Sequence, residues 1–272
     1  MPELPEVETT KNGIQDAITG QKVQQVIIRQ PKLRWLIPGD LPALLKNQKL
    51  LGIQRRAKYL LFSFANGTML LHLGMSGKLR ILKRKVEPQK HDHVDIVFSN
   101  GVTLRYNDPR RFGCVLWCSG DLCEHKLIKH LGPEPLERSF NPAYLNHACK
   151  KRKAPIKQVI MDAKVVVGVG NIYACEALLL SHIHPLTPAN SLSLDNYANL
   201  CKKIKIVLRK SIKAGGTTLK DFKKADGNPG YFQQKLNVYG RDGKSCQLCQ
   251  KPIHKIVQAG RSTFFCPCCQ TL

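Results

Sequence analysis

Hydrophobic and polar residues alternate along short runs in the first half of the chain. The runs at residues 59–64, 69–73, 94–98 and 102–106 either alternate or are rich in β-branched side chains, which is typical of strands with one buried face. An Asn-Gly pair lies between the first two runs and another between the last two. Because Asn-Gly favours the tight turn of a hairpin, the pattern predicts antiparallel hairpins.

Apolar residues at helical spacing open the chain and return after residue 155. Val7, Ile14 and Ile18 recur near the period of a helix, so we expect a first helix that covers the sheet. In the second half, residues 171–182 and 194–214 have the clearest helical patterns, and two prolines separate them. The chain therefore combines a strand-rich half with a helical half, which indicates the α+β class.

The point where the pattern changes also has the composition of a linker. Gly132-Pro-Glu-Pro135 is typical of a loop between domains, and the basic run Lys150-Lys-Arg-Lys153 follows it. Such a run is either a solvated face or a contact to phosphate. We predict three domains, at residues 1–132, 133–235 and 236–272.

The last of these segments has the spacing of a metal site. Cys246-Gln-Leu-Cys249 and Cys266-Pro-Cys-Cys269 each present two thiolates from a tight turn, and four such sulfurs can surround one Zn²⁺ tetrahedrally. Alternating residues at 253–257 and 263–265 fit the short strands of a zinc ribbon. The two-residue spacing favours Cys269 over Cys268 as the fourth ligand, and disulfides or chance clustering are the alternative.

Six further cysteines show no ligand spacing. We expect them to be small core residues: Cys114, Cys118, Cys123, Cys149, Cys175 and Cys201.

The composition favours an anionic partner. The 272 residues carry a formal net charge of +24 and the isoelectric point is near 9.8. A positive charge of this size attracts polyanions. We therefore expect nucleic acid as the partner, with an anionic membrane surface as a distant second. No apolar run has the length of a membrane span, and the start does not resemble a signal peptide. We expect a cytoplasmic, nucleoid-associated protein with reduced thiols.

The first residues allow unusual chemistry. Removal of Met1 would leave Pro2 with a free secondary amine beside Glu3. An α-amino group has a pKa of roughly 8, so part of it is neutral at physiological pH and can act as a nucleophile. Attack on a sugar C1′ would give an iminium, which is an electron sink for elimination. The alternative is a processed start in which Glu3 only stabilises the N-terminus of a helix.

Ordered blocks along the whole chain resemble the bacterial formamidopyrimidine-DNA glycosylases. These blocks are Met1-Pro-Glu-Leu-Pro-Glu-Val-Glu-Thr9, Arg55-Arg-Ala-Lys-Tyr59, His72-Leu-Gly-Met-Ser-Gly77, Lys90-His-Asp-His93, Asp108-Pro-Arg-Arg-Phe-Gly113, Val169-Gly-Asn-Ile-Tyr173 and the cysteine-rich end. The sister family, endonuclease VIII, is similar in architecture and in its Pro-Glu start. Leu4 and the Met75 and Arg110-Arg-Phe112 loops favour the first family.

The resemblance implies both a fold and an activity. The fold is an N-terminal β-sandwich with flanking helices, then a helix-two-turn-helix domain and a zinc ribbon, with DNA in the cleft between. The activity is that of a bifunctional DNA glycosylase and abasic-site lyase in base excision repair. It would excise 8-oxoguanine and formamidopyrimidines from double-stranded DNA by a Schiff base on Pro2 and β,δ-elimination, with one structural Zn²⁺. We expect a monomer that does not bind membranes.

The resemblance also assigns roles to residues of this sequence. Pro2 is the nucleophile and Glu3 moves the protons. Because the glycosidic carbon is unreachable inside a duplex, the damaged base must leave the stack, and Met75, Arg110 and Phe112 then fill the gap. Phe112 wedges a base step, and Arg110 donates to the orphaned base. The alternative for Met75 and Phe112 is core packing.

Further residues of the resemblance are expected at phosphates. Lys58 would reach the damaged nucleotide, and the planar fork of Arg261 would hold the leaving phosphate. Asn171 would meet another phosphate where it opens a helix, and His91 is a third candidate, whereas His93 is as readily a structural histidine. Arg152 and Lys153 in the basic run are expected to bind DNA, and residues 217–224 to read the damaged base.

Two alternatives remain open from the sequence. One is an enzyme of the endonuclease VIII type that acts on oxidised pyrimidines. The other is a non-catalytic DNA-binding protein. This alternative accounts for the positive charge and the zinc ribbon, but it gives Pro2 and Glu3 no chemical role.

Overall fold

The computed structural model describes residues 2–215 and 236–272, so the expected base-reading segment at 217–224 lies outside the described residues. The chain divides into two compact units, of which the first reaches to Lys129 and the second begins at His130.

The first unit contains two antiparallel sheets of four strands. One sheet has the order β1-β6-β7-β5 and the other β2-β3-β4-β8. The elements are α1 (Leu4–Ile18), β1 (Val23–Ile28), α2 (Leu41–Leu45), β2 (Gly52–Arg56), β3 (Tyr59–Phe64), β4 (Gly67–His72), β5 (Lys78–Leu82), β6 (Asp92–Phe98), β7 (Thr103–Asn107), β8 (Cys114–Cys118) and a 3-10 helix at Leu122–Glu124.

Both hairpins expected from the Asn-Gly turns are present. Strand β3 pairs with β4, and β6 pairs with β7. The two sheets enclose one apolar core, since Phe62 and Leu71 of one sheet belong to the same buried cluster as Ile96 and Leu104 of the other. Helix α1 covers this core with the apolar residues that its period predicted. The expected β-sandwich with flanking helices is confirmed.

The second unit is helical and ends in a two-stranded ribbon. Its elements are α3 (Pro142–Cys149), α4 (Ile156–Met161), α5 (Asn171–Leu180), a 3-10 helix at Ala189–Ser191, α6 (Leu194–Lys213), β9 (His254–Gln258) and β10 (Arg261–Phe265). Helix α5 is almost entirely buried. A hydrogen bond of 2.5 Å between the hydroxyls of Tyr173 and Ser211 joins it to α6.

The ribbon shares a core with α5. Cys175 and Leu179 of α5 lie in one buried cluster with Val238, Ile253 and Phe264. The cysteine-rich segment therefore packs as part of the second unit, and its hairpin has a fixed position relative to the start of α5.

One expectation about the cysteines outside the metal site is wrong. Cys114, Cys149, Cys175 and Cys201 are buried as expected, but Cys118 is half-buried and Cys123 is exposed. Cys123 lies in the short 3-10 helix after β8, in which no residue is buried. Within the described ranges, no helix is long and apolar enough to cross a membrane.

Candidate active site and metal centre

The chain start is buried where α1 begins. Pro2 is buried, and Glu3 is only 2 % exposed. Glu3 is the N-cap of α1 and forms a capping box with Glu6, whose Oε2 accepts the backbone N–H of Glu3 over 2.9 Å. The structure thus gives Glu3 the helix-capping position that the sequence left as an alternative. Capping also fixes the carboxyl group next to Pro2.

An ion pair holds the turn that carries Lys58 against α1. Arg55 Nε donates to Glu8 Oε2 over 2.7 Å, and Arg55 Nη1 donates to the carbonyl of Ala57 over 3.0 Å. Ala57 has a positive φ of 56°, which lets the β2–β3 turn close tightly. Burial raises the pKa of Glu8, but hydrogen bonds from Lys11 and Arg55 outweigh it, and the pKa lies below its usual value.

Met75 and Phe112 lie on two exposed loops that form one surface. They are 40 % and 46 % exposed, so the core-packing alternative is wrong for both in this structure. Gly74 has a φ of +61°, and a Cβ there would lie 2.4 Å from the backbone of Phe112. Only glycine allows this approach. The Arg110 guanidinium carbon lies 4.8 Å from the centre of the Phe112 ring.

A cavity of about 840 Å³ opens beside these two loops. Met75, Arg110 and Phe112 line it together with Lys32, Arg34 and His72. The wall combines apolar side chains with cations, which suits nucleotides that carry both a base and a phosphate.

Asp108 fixes the geometry of both loops. It is fully buried, and its carboxylate accepts from Ser76 Oγ at 2.6 Å and from the backbone N–H of Gly113 at 2.8 Å. Ser76 Oγ in turn accepts the backbone N–H of Arg110 over 3.2 Å. The loop with Met75 and the loop with Arg110 are therefore joined through one carboxylate.

The histidines of this unit differ in role. Burial, together with the positive charges of Lys58 and Arg34, lowers the pKa of His72 from 6.5 to about 4. The neutral ring accepts the backbone N–H of Gly74 over 2.9 Å. His93 is buried and bonds the carbonyl of Asp108 at 2.8 Å, which is the structural role left open for it. His91 is half-buried beside His93.

In the second unit, Asn171 is the first residue of α5 and is tied to the ribbon. Lys157 Nζ donates to Asn171 Oδ1 and to Thr263 Oγ1, both at 2.6 Å. Asn171 Nδ2 donates to the carbonyl of Ser262 over 2.8 Å. Lys157 is only 2 % exposed, and a buried ammonium needs such partners. The structure thus brings Asn171 to the base of the β9–β10 hairpin.

Arg261 lies at the expected hairpin tip. It follows Ala259 and Gly260, which have φ angles of 48° and 72°, and it is exposed. A cavity of about 230 Å³ lies between this tip and α4, lined among others by Lys157 and Asp162. Asp162 also forms an ion pair of 3.1 Å with Arg152. Lys153 is exposed next to it.

Glu176 anchors the segment that leads into the ribbon. It is 3 % exposed, and its Oε1 accepts the backbone N–H groups of Val238 and Tyr239 at 2.9 and 3.0 Å. Its Oε2 accepts the backbone and side-chain N–H groups of Asn237 at 2.9 and 2.8 Å. One carboxylate thus satisfies four donors.

Four cysteines converge at the end of the ribbon. The Sγ atoms of Cys246, Cys249, Cys266 and Cys269 all lie within 4.8 Å of one another. Cys249 and Cys266 are 3.4 Å apart and Cys246 and Cys269 are 4.0 Å apart. A tetrahedral zinc site with Zn–S distances of about 2.3 Å requires sulfurs about 3.8 Å apart. The four sulfurs fit one Zn²⁺, and Cys268 is exposed outside the group.

The thiols of this group differ in acidity. A hydrogen bond from the backbone of Lys251 lowers the pKa of Cys249 to about 7, whereas burial raises the pKa of Cys266. Metal ligation requires all four as thiolates, and a divalent cation offsets both the burial and the mutual repulsion of the sulfurs.

Three anchoring residues, one in the first unit and two in the second, were missed as functional candidates by reasoning from the sequence. Asp108, Lys157 and Glu176 are buried charged residues whose partners lie on other elements. The available signal was a single charge inside an apolar run, such as Lys157 in Ile-Lys-Gln-Val-Ile-Met. Such a charge indicates a buried partner but does not identify it.

Family models match three parts of the chain. The Formamidopyrimidine-DNA glycosylase N-terminal domain matches residues 1–115, and the Formamidopyrimidine-DNA glycosylase H2TH domain matches residues 131–223. The zinc finger found in FPG and IleRS matches residues 243–272, the segment that holds the four cysteines. The expectation of one structural zinc is thereby confirmed.

Individual relatives match over the full length. A formamidopyrimidine-DNA glycosylase of Saccharophagus degradans is 55 % identical over 270 residues, which are 99 % of this chain and 100 % of the relative. The structure of the MutM (Fpg) protein of Thermus thermophilus has 38 % identity and a TM-score of 0.88, and covers 99 % of this chain and 98 % of its own. A Lactococcus lactis Fpg mutant in complex with Fapy-dG containing DNA has 34 % identity and a TM-score of 0.92, with both chains fully covered. This chain is therefore a DNA glycosylase that belongs to the formamidopyrimidine-DNA glycosylase family.

Proposed function

We propose that this glycosylase excises 8-oxoguanine and ring-opened purines from duplex DNA and then cleaves the strand at the abasic site. The observation that carries the proposal is the buried Pro2-Glu3 pair at the capped start of α1. The Lactococcus lactis relative has been solved with Fapy-dG containing DNA and with DNA that contains an abasic site, which supports both steps.

Pro2 is the nucleophile in this proposal. After removal of Met1, its neutral amine attacks C1′ of the flipped nucleotide, the glycosidic bond breaks, and the proton lost by the amine leaves with the purine. The sugar ring then opens: the C1′–O4′ bond breaks, O4′ takes up a proton, and the proline nitrogen and C1′ form an iminium. The resulting iminium is the electron sink for loss of a 2′ proton and expulsion of the 3′ phosphate. Loss of a 4′ proton then expels the 5′ phosphate. Each step moves one proton, and Glu3, held beside Pro2, carries them.

Met75, Arg110 and Phe112 hold the duplex open. These side chains are exposed and their loops are both anchored at Asp108, so they can insert into the duplex without local unfolding of the protein. Arg110, stacked on Phe112, presents donors to the base left unpaired, which favours cytosine opposite the lesion.

The remaining candidates bind phosphates. Lys58 and Arg261 contact the phosphates of the damaged nucleotide. Asn171 donates to a further phosphate with the amide hydrogen that is not bonded to the carbonyl of Ser262. His91, which directly precedes β6, contacts the phosphate backbone of the DNA. Arg152 and Lys153 add flanking contacts from the basic run. Zn²⁺, held by the four cysteines, stabilises the hairpin that carries Arg261 and takes no part in the reaction.

The test compares two substrates and one variant. Excision of 8-oxoguanine paired with cytosine should exceed excision of thymine glycol at the same salt, and the reverse preference would place the chain with the endonuclease VIII type. Glu3→Gln should nearly abolish excision while leaving DNA binding largely intact, because the amide keeps the shape but cannot transfer the proton. Binding without any excision by the wild-type chain would leave only a non-catalytic role.

A further inference from the structure

Helix α6 carries a row of cations on the side that faces away from its core. Its buried side includes Leu200 and Leu208. At about 100° per residue, Lys202, Arg209 and Lys213 fall within about 40° of one another on the opposite side, and each is exposed or half-buried. Together with two flanking cations they form a basic stripe, which consists of Lys202, Lys203, Arg209, Lys210 and Lys213.

The basic stripe is not balanced by acidic groups. Asp195 in the first turn is the one acidic residue of α6, and the stripe forms no ion pair within residues 2–215 and 236–272. Lys205 is excluded from the stripe because its Nζ donates to the carbonyl of Glu137 over 3.0 Å. Like charges one turn apart repel and destabilise a helix, and a face that serves only solubility mixes both signs. The stripe therefore suits an anionic partner.

The dimensions of the stripe favour an extended polyanion. The rise of about 1.5 Å per residue separates Lys202 from Lys213 by about 16 Å along the helix. Duplex DNA carries one charge per about 1.7 Å of its axis, so several phosphates face the stripe at once. A single phosphate or a small anion would contact only one or two of these cations.

The stripe faces away from the phosphate contact proposed at Asn171. Helix α5, which begins at Asn171, packs on the buried side of α6 through Tyr173 and Ser211. A second hydrogen bond, from Asn199 to the carbonyl of Ser181, joins the other ends of the two helices. At the Ser211 end of α6, the basic stripe therefore lies on the far side of the helix from the start of α5.

We propose that the basic stripe is a second binding site for duplex DNA, occupied while the lesion site holds another segment. The inference rests on the proposed function, since a second segment serves an enzyme that must search DNA. Holding both segments lets the enzyme pass directly from one to the other without entering bulk solvent.

Direct transfer makes a kinetic prediction. The enzyme is bound to a fluorescent lesion duplex and chased with increasing concentrations of unlabelled, undamaged duplex. The dissociation rate of the wild-type chain should rise with competitor concentration, because the competitor binds the stripe before the first duplex leaves. The competitor-dependent part should weaken with salt by a logarithmic slope of about −0.9 per phosphate contacted.

The variant Lys202→Gln, Arg209→Gln, Lys213→Gln should dissociate at a rate independent of competitor. Glutamine is a good helix former and removes the repulsion along α6, so the fold is preserved. The matched control is Lys22→Gln, Lys46→Gln, Lys49→Gln, which removes the same charge from exposed or half-buried positions of the first unit and should behave like the wild type.

Single-turnover excision on one short duplex, measured for all three proteins, separates the two proposals. The second site is supported if all three proteins excise the base at the same rate and only the stripe variant loses the dependence of its dissociation rate on competitor. The same competitor dependence in that variant, or none in the wild type, would overturn it. The proposal would also be overturned if phosphatidylglycerol vesicles, but not undamaged duplex, accelerated dissociation of the fluorescent duplex from the wild-type chain. Absence of excision in every protein would count against the proposed function instead.

Discussion

Replacing Glu176 by glutamine should loosen the entry to the ribbon. The carboxylate accepts four N–H donors from Asn237, Val238 and Tyr239, two on each oxygen. A glutamine presents one carbonyl oxygen, so its amide group would face two donors without an acceptor. Each buried donor left unpaired costs about 1–3 kcal/mol, so the variant should lose about 2–6 kcal/mol of stability.

The loss should spread to the metal centre. Val238 lies in the same buried cluster as Cys246 and Cys266, so a displaced 237–239 segment removes one wall of the ribbon core. In a urea titration, Glu176→Gln should unfold at a lower concentration than the wild type. A chromogenic chelator should also extract its zinc faster, and excision should fall because the Arg261 hairpin is no longer fixed.

A matched control makes the result decisive. Glu137→Gln makes the same chemical change at an exposed position of the same unit and should leave stability, zinc release and excision unchanged. If Glu176→Gln matches this control in all three measurements, the anchoring role assigned to Glu176 is refuted.

Three further variants test other parts of the site. Cys246→Ser should release the zinc, whereas the exposed Cys268→Ser should retain it; metal analysis that finds the reverse would contradict the ligand set. Arg110→Ala should reduce discrimination between cytosine and adenine opposite 8-oxoguanine by about 1–3 kcal/mol, measured as a ratio of excision rates. Because the pKa of His72 is lowered in the folded chain, the unfolded chain binds a proton at this histidine at a higher pH than the folded chain does. Stability should therefore decline between pH 6.5 and about 4, by about 3 kcal/mol. Unfolding experiments across this range should find that His72→Gln lacks this part of the decline.

Local patterns predicted the elements well because their causes are local. The Asn-Gly turn before β4 fixed one hairpin, and the period of Val7, Ile14 and Ile18 predicted the covered face of α1. The cysteine spacing predicted the metal site for the same reason, since each pair of ligands comes from one turn.

Anchoring residues could not be predicted in this way. Glu176 meets its partners 61 to 63 residues later in the chain, and Lys157 meets Thr263 after 106 residues. Such contacts depend on how the ribbon packs on α5, which local spacing does not encode. Cys123 illustrates the opposite error, because a cysteine without ligand spacing is more often buried but here lies on an exposed turn.

Borohydride trapping tests most directly whether Pro2 forms the covalent intermediate. The enzyme is incubated with an 8-oxoguanine duplex in the presence of borohydride, which reduces the iminium to a stable amine. The trapped complex is digested and mapped by mass spectrometry. We predict that the mature chain begins at Pro2 and that the sugar remnant is attached to its nitrogen. An adduct on Lys58 or any other lysine, or a chain that retains Met1 yet still forms the adduct, would contradict the account.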